Sequence, residues 1–174
     1  MQAADAVKDE HEPVLVLLGD ALVAGEAPSA GMVAISRTFG GASVVGLEEV
    51  PLERVSRYGI AAASGIDGLK AIDGLSGLMD LGRIVKIEDL VEKPAPGKAP
   101  SRLAIAGRYL LDPEIFPLLA SQTPGVGGEI QLTDAIRRLL AEKPVCGCAY
   151  SGKRQDIGSP KGYFEALKAM GENE

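Results

Sequence analysis

Tryptophan is absent from this chain of 174 residues, and only three Phe and four Tyr are present. That scarcity argues against a surface that stacks nucleobases or sugar rings on aromatic platforms. A basic excess is missing too: 18 Lys and Arg stand against 24 Asp and Glu, a formal charge of −6. A protein that grips a long phosphate backbone by counterion release needs the opposite balance. Nucleic acid is therefore not an expected partner, while a small phosphorylated ligand in a local pocket stays open. One His and two Cys are too few favoured ligands for a closed zinc site. Cys146 and Cys148 stand two apart, on one side of any strand, a poor start for a disulfide; they read as reduced thiols. No apolar run approaches the ~20 residues that span a bilayer. Residues 1–12 mix charges of both signs without an apolar stretch, so the expectation is no secretory leader, no membrane and a cytoplasmic location.

The remaining composition is that of a globular protein, with 46% apolar and 24% charged residues. Two kinds of segment alternate along it. Residues 14–18 (VLVLL), 43–47 (SVVGL), 103–111 (LAIAGRYLL) and 145–150 (VCGCAY) read as strands. The first is apolar throughout, as expected of a strand covered on both faces. Leu132, Ile136, Leu139 and Leu140 mark one face of a helix, with Arg137 and Arg138 turned outward. Tyr163, Leu167 and Met170 repeat that spacing after Ser159-Pro160, which suits an N-cap and a first-turn proline. Asp112-Pro113-Glu114 opens a shorter helix through Leu119. Residues 65–82, rich in glycine, read as a connection or irregular hairpin, and 94–100 as a turn-rich linker. Strands alternating with helices predict an α/β domain with a mixed, mainly parallel sheet.

Several positions can carry chemistry. Asp20 ends the first strand, where open α/β sheets collect ligands; it can hold a metal ion or simply form a turn. Glu92-Lys93-Pro94 ends another strand. Glu92 can accept two hydroxyls and Lys93 can neutralise a phosphate, but on an extended segment they point to opposite faces, so both reach one ligand only if the chain bends there. Otherwise they are a solvated strand end. Asp156 lies in a loop before the last helix, either a second metal-facing acid or an ordinary loop carboxylate. Gly59, in Arg57-Tyr58-Gly59, marks a close backbone approach or a bulge. The acids of 128–134 can simply favour a helix N-terminus.

Their order and wording together resemble the bacterial UTP–glucose-1-phosphate uridylyltransferases, or UDP-glucose pyrophosphorylases. The matching phrases are VLVLLGD (14–20), GASVVGLEEV (41–50), VSRYGI (55–60), DLVEKP (89–94), APSRLAIAGRYLL (99–111), GEIQLTDAI (128–136) and GKRQDIGSPKGY (152–163). The resemblance implies a Rossmann-like nucleotidyltransferase fold. It implies Asp20 as a magnesium-holding carboxylate, with Asp156 as a second. Gly59 becomes a backbone contact to the sugar, Glu92 the acceptor for glucose hydroxyls, and Lys93 the partner of the phosphates. The substrates would be UTP and glucose 1-phosphate, the cofactor Mg²⁺, and the assembly a homo-oligomer.

Two departures accompany the resemblance. The family's glycine-rich nucleotide loop, with its Thr-Arg and Pro-Lys-Glu segments, does not occur. Residues 1–174 are accordingly expected to be the central and C-terminal portion of a sugar nucleotidyltransferase domain, N-terminally truncated and lacking its first βα units. Where many members carry a second Asp after the metal-holding one, Ala21 stands here. Three functions follow as expectations: uridylyl transfer itself, a non-catalytic sugar-phosphate-binding or assembly fragment, or a sister enzyme using dTTP.

Overall fold

Strand 103–111 is the hub of the computed structural model, which describes residues 4–7, 11–23, 28–66, 83–150 and 154–171. In chain order the elements begin with α1 (Ala4–Val7), β1 (Val14–Leu17), β2 (Ala21–Val23), α2 (Pro28–Thr38), β3 (Ser43–Glu49), β4 (Gly59–Gly65) and β5 (Arg83–Glu92). They continue through β6 (Leu103–Leu111), α3 (Ile115–Ala120), α4 (Leu132–Leu139), β7 (Val145–Ala149), β8 (Arg154–Asp156) and α5 (Pro160–Gly171). Six strands form one sheet in the order β1-β6-β3-β7-β5-β4, and β2 and β8 form a separate two-stranded ladder.

The period of two along each strand sorts the side chains into two cores. Leu103, Ile105, Tyr109 and Leu111 of β6 face the same side as Val45, Leu47, Val85, Ile87 and Val145, beneath Ile115 of α3 and Ile136 and Leu139 of α4. Leu110, Val44, Ile84, Cys146 and Cys148 face the other side, beneath Met32 and Ile35 of α2. The sheet is thus covered on both faces, as an α/β domain requires. Of the expected stripe, Ile136 and Leu139 of α4 are buried while Leu132 and Leu140 are partly buried against the core, and Arg137 and Arg138 are exposed. Ser159 caps α5 as its sequence predicts, its Oγ accepting the Gly162 N–H at 3.1 Å.

Three expectations change. The sheet is mixed, but its parallel pairing is confined to β3–β7; β1–β6, β3–β6, β4–β5, β4–β6 and β5–β7 are antiparallel. Simple alternation of strand and helix overlooked β4, which pairs with β5 antiparallel. Second, β1 lies at the sheet edge rather than under two layers, and Leu15 and Leu17 are 41% and 52% exposed. Third, α5 buries Ala166, while Tyr163 and Leu167 are exposed. The connection expected within 65–82 lies, from residue 67 on, outside the described residues.

Cys146 and Cys148 are separate buried thiols. Burial pushes the Cys148 thiol from its ordinary 9.0 up to about 11, and burial, with Glu48 adding, pushes Tyr150 from 10.0 up to about 12. Both groups hold their protons more tightly folded than unfolded. Their stabilisation is complete below the unfolded values and is lost as pH rises through the folded ones. Unfolding free energy is therefore expected to fall by on the order of 3 kcal/mol between pH 9 and 11. Urea unfolding across that range measures it, and a flat profile contradicts it.

Candidate functional site

Glu92 ends β5, with Lys93 just beyond it, beside the start of β4, where the register pairs Gly59 with Glu92. Lys93 adopts φ 46°, the left-handed region that side chains rarely enter. This is the bend that two successive residues need in order to serve one ligand. Its N–H donates to the Tyr58 carbonyl at 3.0 Å, which holds the turn. Lys93 Nζ then lies 3.5 Å from Glu92 Oε1. The other carboxylate oxygen, Oε2, accepts the Thr133 hydroxyl at 2.6 Å. With its side chain only 9% exposed, Glu92 is a fixed acceptor rather than a solvated strand end.

Gly59 has a steric reason. A Cβ there would stand 2.7 Å from Thr133 Oγ1, 2.8 Å from Ile105 Cδ1 and 3.1 Å from Glu92 Oε2. Any side chain would displace the carboxylate and its hydroxyl partner, so the backbone itself must border this space.

Asp20 and Asp156 meet through the β2–β8 ladder. Ala21 pairs with Asp156, and Ile157 N–H donates to the Asp20 carbonyl at 2.8 Å. Asp156 ends a three-residue strand rather than lying in a loop; the short ladder holds it beside Asp20. Asp156 Oδ1 accepts the Gly158 N–H at 3.1 Å. A Cβ on Gly158 would stand 3.3 Å from both Asp156 Oδ1 and Asp20 Oδ2, so both carboxylates converge over this glycine. Among the described residues no group of three or more His, Cys, Asp or Glu gathers to hold a metal. Two hard carboxylates do fit Mg²⁺, which characteristically takes one or two from the protein and completes its shell with water and phosphate.

A cavity of about 410 Å³ brings all five expected residues together: Asp20, Gly59, Glu92, Lys93 and Asp156 line it. Thr133, Tyr109, Arg57 and Arg154 line it as well, and sequence reasoning gave none of them a role. A polar Thr within the buried stripe of α4, and a Tyr two residues after a strand glycine, were the available signals. The Tyr109 phenol is held above the ordinary tyrosine range, first by burial and then by Glu92, with Asp20 adding and Arg154 opposing. It stays protonated and neutral. The cavity therefore combines a fixed acceptor at Glu92, the carboxylate pair of Asp20 and Asp156 suited to a hard cation, and the cationic side chains of Lys93, Arg57 and Arg154.

The nucleotidyl transferase family model matches residues 1–173. A UTP–glucose-1-phosphate uridylyltransferase of Staphylococcus haemolyticus is 42% identical over 155 residues, 89% of this chain and 49% of that protein. The Bacillus subtilis UTP–glucose-1-phosphate uridylyltransferase YngB is 38% identical over 160 residues, 92% of this chain and 49% of that one. The crystal structure of a UDP-glucose pyrophosphorylase complexed with UDP-glucose superimposes with a TM-score of 0.82 at 34% identity, covering 99% of this chain and 60% of the other. The chain thus spans about half the length of the curated relatives it matches. Among the described residues no helix is long and apolar enough to cross a membrane. By the extent of the family match and the level of identity, the chain belongs to the nucleotidyl transferase family.

Proposed function

We propose that this chain serves UTP:glucose-1-phosphate uridylyl transfer, which forms UDP-glucose and pyrophosphate. The observation that carries the reading is the left-handed turn at Lys93, which brings a buried, Thr133-bonded Glu92 and a cation to one cavity, also lined by Asp20 and Asp156. Glu92 accepts glucose hydroxyls, Gly59 lets the sugar approach the backbone, and Lys93 meets the phosphates. Asp20 and Asp156 would hold Mg²⁺, which supplies neutralisation of phosphate charge when bound.

The attacking atom in this reaction is a phosphate oxygen, ionised near neutral pH, so no side chain has to remove a proton. What remains is alignment and charge cancellation between two polyanions, and carboxylates and a lysine suit that task. The same reading places the protein in the cytoplasm and has it assemble with copies of itself; the outward edge of β1, unpaired among the described residues, supports such association.

The test is magnesium-dependent pyrophosphate release from UTP and glucose 1-phosphate, with Asp20→Asn as control. Release is expected to fall by roughly 10²-fold or more in the control. Equal release by the control removes Asp20 from the site. No release from folded protein that still binds UDP-glucose replaces transfer with sugar-phosphate binding.

A further inference from the structure

The two carboxylates that would hold the metal do not stand on the six-stranded sheet. Asp20 immediately precedes β2 and Asp156 ends β8, and among the described residues these two strands pair only with each other. The sugar side of the cavity, by contrast, is built into the main sheet through the β4–β5 register at Gly59 and Glu92. On the β2 side the Leu18 N–H donates to the Gly107 carbonyl of β6 at 2.9 Å; on the β8 side a three-residue ladder, which holds little by itself, needs a further hold on that sheet.

Arg154, the first residue of β8, makes that connection. Its Nε donates to Glu48 Oε1 of β3 at 2.6 Å. Its guanidinium lies 4.5 Å from the centroid of the Tyr58 ring. Tyr58 in turn precedes Gly59 and accepts the Lys93 N–H through its carbonyl. Arg154 and Glu48 side chains are only 10% and 15% exposed, so the guanidinium is clamped by a carboxylate on one side and an aromatic face on the other. A planar, delocalised cation satisfies both at once; an ammonium does not. One side chain thus ties the carboxylate ladder to β3 and to the turn that presents Lys93.

We propose that Arg154 is a positioning residue that sets the Asp20–Asp156 pair against the Glu92–Lys93 side of the cavity. The proposal rests on the function proposed above. Two other roles predict different outcomes. A cation that acts only through its charge opposes metal binding at nearby carboxylates, so its removal tightens the metal. A residue that only stabilises the fold weakens sugar and metal binding together. Positioning predicts metal binding weakened more than sugar binding, because the β4–β5 register holds Gly59 and Glu92 without Arg154.

The experiment uses Mn²⁺, read by loss of the free-ion electron paramagnetic resonance signal in saturating UDP-glucose. UDP-glucose affinity without metal is measured alongside by calorimetry. Glu48→Gln/Arg154→Met removes both charges together and avoids leaving a lone buried one, so the protein stays folded; Arg154→Lys keeps the charge but not the planar stack. Mn²⁺ affinity is expected to fall about 10- to 100-fold in the double variant and by less in Arg154→Lys, and in both by more than metal-free UDP-glucose affinity, which Arg154 touches only as one cation of the cavity lining. Unchanged or tighter Mn²⁺ overturns the proposal, and so does a parallel loss of both affinities. If the unsubstituted protein takes up no Mn²⁺, or Asp20→Asn takes up as much, the site reading itself fails and the proposal falls with it. That failure is recognisable because it is seen with Arg154 intact.

Discussion

Ile136→Ala is expected to lower the unfolding free energy by about 2–5 kcal/mol, the range for truncating a buried aliphatic side chain in a core that relaxes only partly. Ile136 is fully buried and joins α4 to a cluster that includes Leu47 of β3 and Val85 of β5. Against a total of about 5–15 kcal/mol for an ordinary domain, such a loss removes a large share of the stability. The opposite face of α4 is the control. Arg137→Ala deletes an exposed ion pair with Asp89, and exposed pairs contribute about 0–1 kcal/mol. Urea unfolding followed by circular dichroism separates the two, and an Ile136→Ala loss under about 1 kcal/mol refutes the packing argument. The consequence reaches the cavity, because the helix that Ile136 seats carries Thr133 one turn earlier. Loosening α4 loosens the hydroxyl that fixes Glu92.

What the residue pattern made legible follows from how strongly each element declares itself. β3, β6 and β7 are β-branched or long apolar runs, and α4 alternates a buried stripe with two arginines; all four stand where their patterns placed them. β4 reads GIAAASG, with one β-branched residue in seven, and its strand state comes from pairing with β5 rather than from propensity. β2 and β8 have three residues each, too few for a period of two to show. Helix α2 includes Pro, Gly and two Ser among its eleven residues, a composition that reads as loop. Missing β4 hid its antiparallel pairings, and those of β1–β6, β3–β6 and β5–β7 join strands separated in sequence, where a local pattern does not show direction. In the site, residue types and the family wording pointed to the five positions, but not to how they meet. Asp20 and Asp156 lie far apart in sequence and are joined by a ladder that was not foreseen. Glu92 and Lys93 share a cavity through a backbone conformation that lysine seldom adopts. Thr133 was hidden because its position, at the start of an amphipathic helix, already had a sufficient structural reason.

Lys93 tests whether that uncommon conformation is held for function. On the proposed reading, Lys93→Met removes the cation facing the phosphates and keeps the stem. Pyrophosphate release is expected to fall by roughly 10²- to 10³-fold, the scale for losing one preorganised group that stabilises developing charge. Lys93→Gly should lose as much activity, since it lacks the ammonium too. The two variants part in stability. A non-glycine residue in the left-handed region carries about 1–2 kcal/mol of steric strain, and glycine releases it, at the expense of a wider unfolded ensemble. Lys93→Gly should therefore unfold at the same urea concentration as the parent or higher, while Lys93→Met, which keeps a Cβ at φ 46°, gains nothing. A protein that becomes no less stable, or more so, on losing its cation would be tolerating strain at the place where the reaction needs charge, as functional sites characteristically do. If Lys93→Gly instead unfolds more easily than Lys93→Met, the turn is relaxed and the lysine sits there for a structural reason. If release survives in both variants, charge cancellation is supplied elsewhere in the cavity, and Arg57, exposed on its wall, is the next cation to remove.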